Sequence, residues 1–406
     1  MIIKSIYRTI IPALLAFTAV SCIDNSDSGS AYYAVTIDNI LPDAAGSDVE
    51  LKSGRIKYTE LNTGETTTMA LPQYDPFRLP AGLYDVEATM NIAYANADGL
   101  TVEKSLRALA SSVTVNTDTG MTLKWFFYNP SNSLVFSEMY ITGSPNAKGT
   151  GGLRDSYFAI YNNTDEVIYA DGIAIVESTL INAKGSAYEV LTEANNRQVN
   201  FTVGAIWVIP GNGTEHPIEP GKSLKIVDQA VDWSSQVAGA LDLTDADFEW
   251  WDDDAQDTDN PSVPNLEKWY CYSSTIWIPS NQANRSYAIV RFPEGTTAQA
   301  YLAEYHSPYE YINSLGSHMV NNNAYIIPND WILDGVNLSN KEDWVYGSIG
   351  DAVDMSFASI SDKTKDPERF GKKFQRRVAE TTPGGRVILM DTDDSASDFV
   401  LVPAKE

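Results

Sequence analysis

The stretch RLPAGLYDVEATM (residues 78–90) decides the fold of the N-terminal part of the chain. Its LPAG segment is a turn signal, and the run that follows alternates apolar and polar residues. A period of two places one side of a strand against a core and the other in water. Similar runs lie at residues 33–38, 54–61, 111–117 and 121–128. Residues 31–128 are therefore predicted to form a small antiparallel β-sandwich, with a helical turn or two near residues 102–110 as the exception.

A polar, proline-containing break, NPSNS (residues 129–133), marks the predicted domain boundary. Beyond it the strand-like segments are WVIPG (207–211), SLKIVD (223–228), STIWIP (274–279) and SYAIVRF (286–292). One segment, TTAQAYLAEY (296–305), has the apolar spacing of a short helix. Residues 129–406 are predicted to form a larger β-sandwich with a long insertion of extra strands and loops. The chain as a whole is predicted to be all-β.

The N-terminal sequence MIIKSIYRTIIPALLAFTAVSC predicts a lipoprotein signal peptide over residues 1–21. Basic residues precede an apolar run that is too short for a membrane span, and small residues lead to Cys22. Lipidation of Cys22 would anchor the mature chain, with residues 22–30 as a flexible tether. An ordinary secretory signal that contains a cysteine is the alternative. The predicted location is the outer membrane, on the cell surface, with the periplasmic face left open.

The composition limits the partners of the protein. Acidic residues outnumber basic ones 54 to 28, which gives a net charge of -26. Such a surface repels phosphates, so nucleic acid is not an expected partner. Besides Cys22 the chain has one cysteine, Cys271. It is interpreted as a buried apolar thiol, with a reactive thiol as the alternative.

No catalytic motif is found in the sequence. The three histidines, His216, His306 and His318, lie outside any HExxH pattern and are interpreted as surface or hydrogen-bonded histidines. No GxSxG elbow or phosphate-binding loop is present. Paired carboxylates of a glycosidase remain possible, because a chain with 54 acidic residues always offers candidates. We therefore predict no catalytic residue and no cofactor, apart from a calcium ion considered next.

The segment EWWDDDAQDTDNPSVPN (residues 249–265) is the candidate binding loop. A run of carboxylates is expected to be exposed, because burying it unpaired is costly. An exposed tryptophan beside carboxylates could stack on a sugar or an aromatic ligand. A solvated acidic loop is the alternative. The candidate binding residues are Trp250, Trp251, Asp252, Asp253 and Asp254, and the candidate calcium ligands are Asp252, Asp254, Asp257 and Asp259.

A basic cluster lies near the C-terminus, in FGKKFQRRVAETTPGGR (residues 370–386). It could bind an anion, but pairing with nearby acids is favoured. The cluster contains Lys372, Lys373, Arg376, Arg377 and Arg386, and the acids are Asp391, Asp393 and Asp394. The tripeptide Asp394-Ser395-Ala396 resembles an acceptor motif for protein O-glycosylation, which makes Ser395 a candidate modification site.

Several segments together resemble a family of Bacteroidota lipoproteins of unknown function and similar length. They are residues 137–139, 161–164, 171–172 and 257–265, and the closing pattern GGRVILMDTDDSASDFVL (384–401). All of these except residues 257–265 also resemble the start and the end of lamin-tail domains, which are immunoglobulin-like sandwiches. Residues 78–90 resemble transthyretin-like and immunoglobulin-like spacer modules. The resemblance implies no known activity.

The leading hypothesis is a lipid-anchored cell-envelope binding or accessory protein. The family resemblance implies a TonB-dependent outer-membrane receptor as partner, with an iron source or a glycan as ligand. A structural or adhesive surface lipoprotein without a small ligand is the alternative, and a glycan hydrolase is the third hypothesis.

Overall fold

The computed structural model describes residues 31–42, 49–72, 77–95, 101–128, 134–149, 151–184, 189–190, 193–253, 257–313, 315–351, 353–382 and 385–405. The predicted signal peptide, Cys22 and the tether lie outside these residues. The chain divides into two compact units, Met1–Asn129 and Pro130–Glu406. Each unit is described by itself.

The first unit consists of β-strands. They are β1 (Tyr32–Ile40), β2 (Val49–Glu60), β3 (Thr66–Leu71), β4 (Arg78–Pro80), β5 (Gly82–Ala95), β6 (Thr101–Val115), β7 (Thr119–Lys124) and β8 (Phe126–Tyr128). A five-stranded sheet has the order β3-β2-β5-β6-β8, and a three-stranded sheet has the order β4-β1-β7. All pairs are antiparallel except β1 with β7.

Strand β5 has the predicted alternation. Tyr84, Val86 and Ala88 are buried, whereas Glu87 between them is exposed. The helical turn suggested near residues 102–110 is wrong, because these residues belong to β6. Strand β6 pairs with β5 along nearly its whole length. The hydrogen bonds of this ladder satisfy its backbone N–H and C=O groups, which an isolated helical turn would leave partly unpaired.

The second unit is also mostly strands. They are β9 (Leu134–Tyr140), β10 (Tyr157–Asn162), β11 (Ile168–Tyr169), β12 (Ile173–Ile181), β13 (Glu189–Val190), β14 (Asn200–Val208), β15 (Pro217–Ile218), β16 (Ser223–Val227), β17 (Phe248–Glu249), β18 (Glu267–Cys271), β19 (Arg285–Arg291), β20 (Tyr309–Ile312), β21 (His318–Asn321), β22 (Tyr325–Pro328), β23 (Ile332–Ser339), β24 (Ala358–Ser359), β25 (Lys372–Arg376), β26 (Val378–Thr381), β27 (Val387–Leu389) and β28 (Phe399–Pro403). The α-helices are α1 (Ala298–Glu304) and α2 (Ser395–Asp398), and 3-10 turns cover Glu193–Asn195, Asn329–Trp331 and Pro367–Arg369.

Two large sheets form the body of the second unit. One has the order β17-β16-β10-β9-β25-β28, and the other has the order β18-β14-β12-β19-β23-β24 with β22 also paired to β14. The main core contains residues from both sheets, such as Phe136 and Phe158 from the first and Trp207 and Tyr287 from the second. Because side chains of two sheets share one core, the unit is a β-sandwich. The predicted all-β class is confirmed.

The outer face of the second sheet is covered as well. A second core lies there, in which Val176 and Val290 of the sheet pack with Tyr301 of α1. Helix α1 begins after Thr297, whose side chain accepts a hydrogen bond from the Ala300 amide, an N-cap. The predicted short helix in this segment is confirmed.

Three of the four predicted strand segments overlap strands β14, β16 and β19, the first of them only at residues 207–208. The fourth, residues 274–279, is not a strand. Its backbone donors bind side chains instead of a neighbouring strand, as the Trp277 amide does to Asp252 at 3.0 Å.

Candidate functional site

The tryptophan that opens the acidic run is buried. Strand β17 pairs in parallel with β16, and the Trp250 amide continues this pairing by donating to Val227 O at 3.1 Å. Phe248 and Trp250 therefore both point into the main core, where Trp250 has no exposed surface and packs 5.1 Å from Trp277. The prediction that the whole run is an exposed loop is wrong here, because sheet pairing extends into the run.

Asp252 is also buried and is neutralised by a lysine. One carboxylate oxygen pairs with Lys268 Nζ, and the other accepts the Trp277 amide at 3.0 Å. The ammonium group lies 5.9 Å from the centre of the Trp207 ring. The Lys268 ammonium group and the Trp277 amide together explain why the Asp252 carboxylate is buried and not solvated.

The rest of the candidate loop is divided between solvent and further contacts. Trp251 is half-buried and Asp253 is exposed, whereas Asp254 lies outside the described residues. Asp257 accepts Arg154 Nη1 at 2.7 Å and the Asp252 amide at 2.9 Å.

The described calcium candidates are thus bound by protein donors. Asp252 is held by Lys268, and Asp257 by Arg154. Asp259 accepts Asn265 Nδ2 at 3.0 Å. These contacts disfavour a calcium site over the described carboxylates, because each accepts from its own protein donor and two of them already have a cation.

Arg376 of the basic cluster is the centre of a buried charge network. Its guanidinium pairs with Asp391 at 3.2 Å, with Asp398 at 3.3 Å and with Asp334 at 2.5 Å. It also donates to the carbonyl of Phe136 at 2.8 Å. The predicted pairing of this cluster with Asp391 is confirmed.

The network holds three carboxyl groups for one guanidinium. Burial raises the pKa of Asp398 to about 6, against the opposing attraction of Arg376. Burial likewise raises the pKa of Asp391 well above its ordinary value. The network therefore retains protons at a pH where exposed aspartates have lost them.

Two other members of the basic cluster also bind protein acceptors. Lys373 Nζ pairs with Glu138 Oε1 at 2.8 Å, and Arg386 Nη1 donates to the carbonyl of Asn163 at 3.0 Å. Arg377 is exposed. Pairing within the protein therefore describes the cluster better than an anion site does.

Ser395 is not available for glycosylation in the folded chain. Asp394 caps the N-terminus of α2, and Ser395 is the first residue of that helix, with only 2% of its surface exposed. Its hydroxyl donates to Asp354 Oδ2 at 2.6 Å. This burial and the hydrogen bond to a buried carboxyl group argue against the predicted modification of Ser395 in the folded chain.

The remaining thiol and two of the histidines have ordinary surroundings. Cys271 is half-buried, and burial raises the pKa of its thiol, which favours the apolar over the reactive interpretation. His306 Nε2 lies 2.9 Å from Asn322 O, and His318 Nε2 lies 3.0 Å from Glu310 Oε2.

The third histidine belongs to a group that the sequence did not reveal. Among the described residues, the carboxylates of Asp171 and Glu215 and the ring of His216 bring their ligand atoms within 4.8 Å of one another. Asp171 accepts the backbone amides of Gly213, Glu215 and His216, and these lower its pKa more than burial raises it. Asp171 is far from the other two in sequence, so no short motif marks the group.

A hairpin formed by β20 and β21 carries exposed apolar side chains, which we name the hairpin surface: Leu315, Met319 and Val320. Their exposed fractions are 87%, 41% and 50%. Within the described residues, β21 is the last strand of the sheet β13-β20-β21, so one of its edges has no partner strand.

Part of the second unit matches a known protein family. Residues 219–404 match the family DUF4876, described as a protein of unknown function. The predicted resemblance to a Bacteroidota family of unknown function is confirmed. The match begins just before β16, so it does not include strands β9, β10, β12 and β14 of the two sheets.

Two solved structures are similar to the chain. A DUF4876 family protein from Bacteroides thetaiotaomicron VPI-5482 has 19% identity and a TM-score of 0.56, and the match covers 91% of this chain and 94% of that one. At this identity the likeness concerns the fold. A candidate adhesin from Bacteroides ovatus ATCC 8483 has 9% identity and a TM-score of 0.19, with 77% and 88% covered, which is too weak to support an argument.

No curated protein matches the sequence. Within the described residues, no helix is both long enough and apolar enough to cross a membrane.

Proposed function

We propose that this protein is a lipid-anchored binding protein of the cell envelope that contacts a protein partner through the hairpin surface. The observation that carries the proposal is the exposure of three apolar side chains at one hairpin, with Leu315 exposed over 87% of its surface. Leaving such side chains in water is unfavourable. Burying a leucine completely contributes about 1.5–3 kcal/mol.

The position of these residues favours a protein partner over a small ligand. Met319 and Val320 lie on β21, and the loop before it carries Leu315, so the exposed apolar side chains belong to an edge strand and its turn. Natural proteins protect such edges with lysine, proline or a covering loop. The segment HMVN of β21 has none of these residues. An edge of this kind accepts an additional strand from a partner.

A TonB-dependent outer-membrane receptor is the proposed partner. This choice rests on the family resemblance and on the anchor predicted at Cys22, which would hold the chain on the same membrane as such a receptor. Tethering raises the effective concentration of the two proteins, so a small apolar contact suffices for binding.

The test places a photo-crosslinking amino acid at position 315 of the full-length chain in its native cells. Crosslinks to a TonB-dependent receptor, identified by mass spectrometry, are expected. Position 378 is the matched control, because Val378 is 54% exposed and apolar but lies outside the hairpin. Equal crosslinking at both positions, or a partner of another class at position 315, would overturn the proposal.

A second variant tests the contact itself. Replacing Leu315, Met319 and Val320 with serine should abolish co-purification of the receptor and leave the melting temperature nearly unchanged, since exposed substitutions usually change stability by less than about 0.5 kcal/mol each. Retained co-purification would refute the role of the hairpin surface.

A further inference from the structure

A divalent metal site is the strongest feature that the proposed function does not use. It lies where the ladder of β11 and β15 ends, and it comprises Asp171, Glu215 and His216. The Ala170 amide donates to the His216 carbonyl at 2.8 Å. This backbone hydrogen bond holds Asp171 and His216 close together at the end of the ladder. We propose that these three side chains bind a divalent transition-metal ion of the zinc class.

Each of the three side chains is held in place without a metal. The loop before His216 wraps around the carboxylate of Asp171 so closely that a Cβ at Gly211 would lie 1.9 Å from Asp171 Oδ1. Asn212 Nδ2 donates to Glu215 Oε1 at 2.6 Å. The ring of His216 packs edge-on against Phe248, with centroids 4.9 Å apart. A site built on such contacts loses little side-chain entropy when it binds an ion.

The charge of the group favours a cation. Oxygens of two carboxylates lie within 4.8 Å of each other, and within the described residues neither carboxylate has a lysine or arginine nitrogen at ion-pair distance. Burial lowers the pKa of Arg291, and the charge of nearby Asp171 opposes this shift only in part. Its guanidinium donates to the carbonyl of Tyr169 at 3.3 Å.

The donor set selects the class of metal. One imidazole nitrogen with two carboxylate oxygens suits zinc and similar transition metals, whereas calcium and magnesium prefer oxygen ligands only. Ligand atoms around zinc lie roughly 3.3 Å apart when each bond is about 2.0 Å. From the 4.8 Å limit of the group, closure by about 1.5 Å is sufficient. Glu215 is exposed and His216 is half-buried, so small shifts of these two side chains from their present contacts suffice for this closure.

The test is isothermal titration of Zn²⁺ into the full-length chain at pH 7, with Mg²⁺ as the comparison ion. Glu215→Gln and His216→Gln are each expected to raise the Kd for Zn²⁺ by at least about tenfold, because even the loss of an outer-shell partner of a ligand costs about 10–100-fold in affinity. Glu215→Gln keeps the side-chain shape at an exposed position, so this variant tests the site even if His216→Gln disturbs the packing on Phe248.

The matched control is His318→Gln. His318 also lies beside a glutamate, Glu310, at 3.0 Å, but among the residues that the structure describes no third ligand joins this pair. An unchanged Kd in this variant, together with the loss in the other two, supports the site. Absence of Zn²⁺ binding by the wild-type chain, an unchanged Kd in Glu215→Gln, or equally tight binding of Mg²⁺ would overturn it.

Discussion

The Arg376→Met variant tests whether the charge network is the main polar support of the larger sandwich. Methionine keeps a side chain of similar length but removes all guanidinium donors. The wild-type donors bind the Phe136 carbonyl at 2.8 Å, Asp391 at 3.2 Å and Asp398 at 3.3 Å, besides Asp334. The variant leaves these acceptors buried without their cation.

The expected loss of stability is large. Removing one partner of a buried ion pair costs about 3–5 kcal/mol, because the remaining charge stays in the interior. For a domain of this size, 1 kcal/mol changes the melting temperature by roughly 2–4 °C. We therefore expect the melting temperature of Arg376→Met to fall by roughly 6–20 °C.

The assay is urea denaturation of the full-length chain at pH 8 and at pH 5, supported by calorimetry. The loss should be smaller at pH 5, because the stranded carboxyl groups take up protons and lose their charge. Arg377→Met is the matched control. It removes the same charge at the next residue, which is exposed, and should change stability by less than about 0.5 kcal/mol.

Two results would refute this reasoning. One is a loss below about 1 kcal/mol, which would mean that the network contributes no more than an exposed ion pair. The other is an equal loss at both pH values, which would mean that the carboxyl groups keep their charge or find other donors.

The remaining predictions concern pH, domains and the anchor. The pKa of Asp398 is about 6 in the folded chain and 3.8 ordinarily, so between these values the folded chain holds a proton that unfolding releases. Lowering the pH from 7 towards 4 should therefore stabilise wild type relative to Asp398→Asn. Equal pH dependence of the two proteins in urea titrations would contradict this prediction. Residues 31–128 and 129–406 should each fold when expressed alone, with β-type circular dichroism, and an unfolded or helix-rich spectrum would count against the boundary. Wild-type protein should partition into detergent and Cys22→Ala should not; equal partitioning would exclude lipidation, and protease shaving of intact cells tests surface exposure.

The fold class was accessible from the sequence because its signals are local. Alternation in β5 and turn residues around it specify a strand without any knowledge of its partners. Helix α1 could be predicted for the same reason, because the apolar spacing after Thr297 is a signal carried by neighbouring residues alone. The wrong helical turn in β6 shows the limit. Its strand state depends on pairing with β5.

The fate of the acidic run was not accessible, because it depends on residues far away in the chain. Asp257 is bound by Arg154, which lies 103 residues earlier, and Asp252 is bound by Lys268. Composition alone predicts exposure for such a run, and only the tertiary structure supplies the two cations. The group around His216 was missed for a related reason, since Asp171 lies 45 residues before it.

The order of strands in the six-stranded sheet determines what a shortened chain would do. Strand β9 comes first in the second unit but lies inside the sheet, between β10 and β25. Arg376 of β25 donates to Phe136 of β9 across 240 residues of sequence. A chain that ends before Lys372 would leave one edge of this strongly apolar strand open. Such truncated products should therefore aggregate through β9, and they should not form a smaller soluble sandwich.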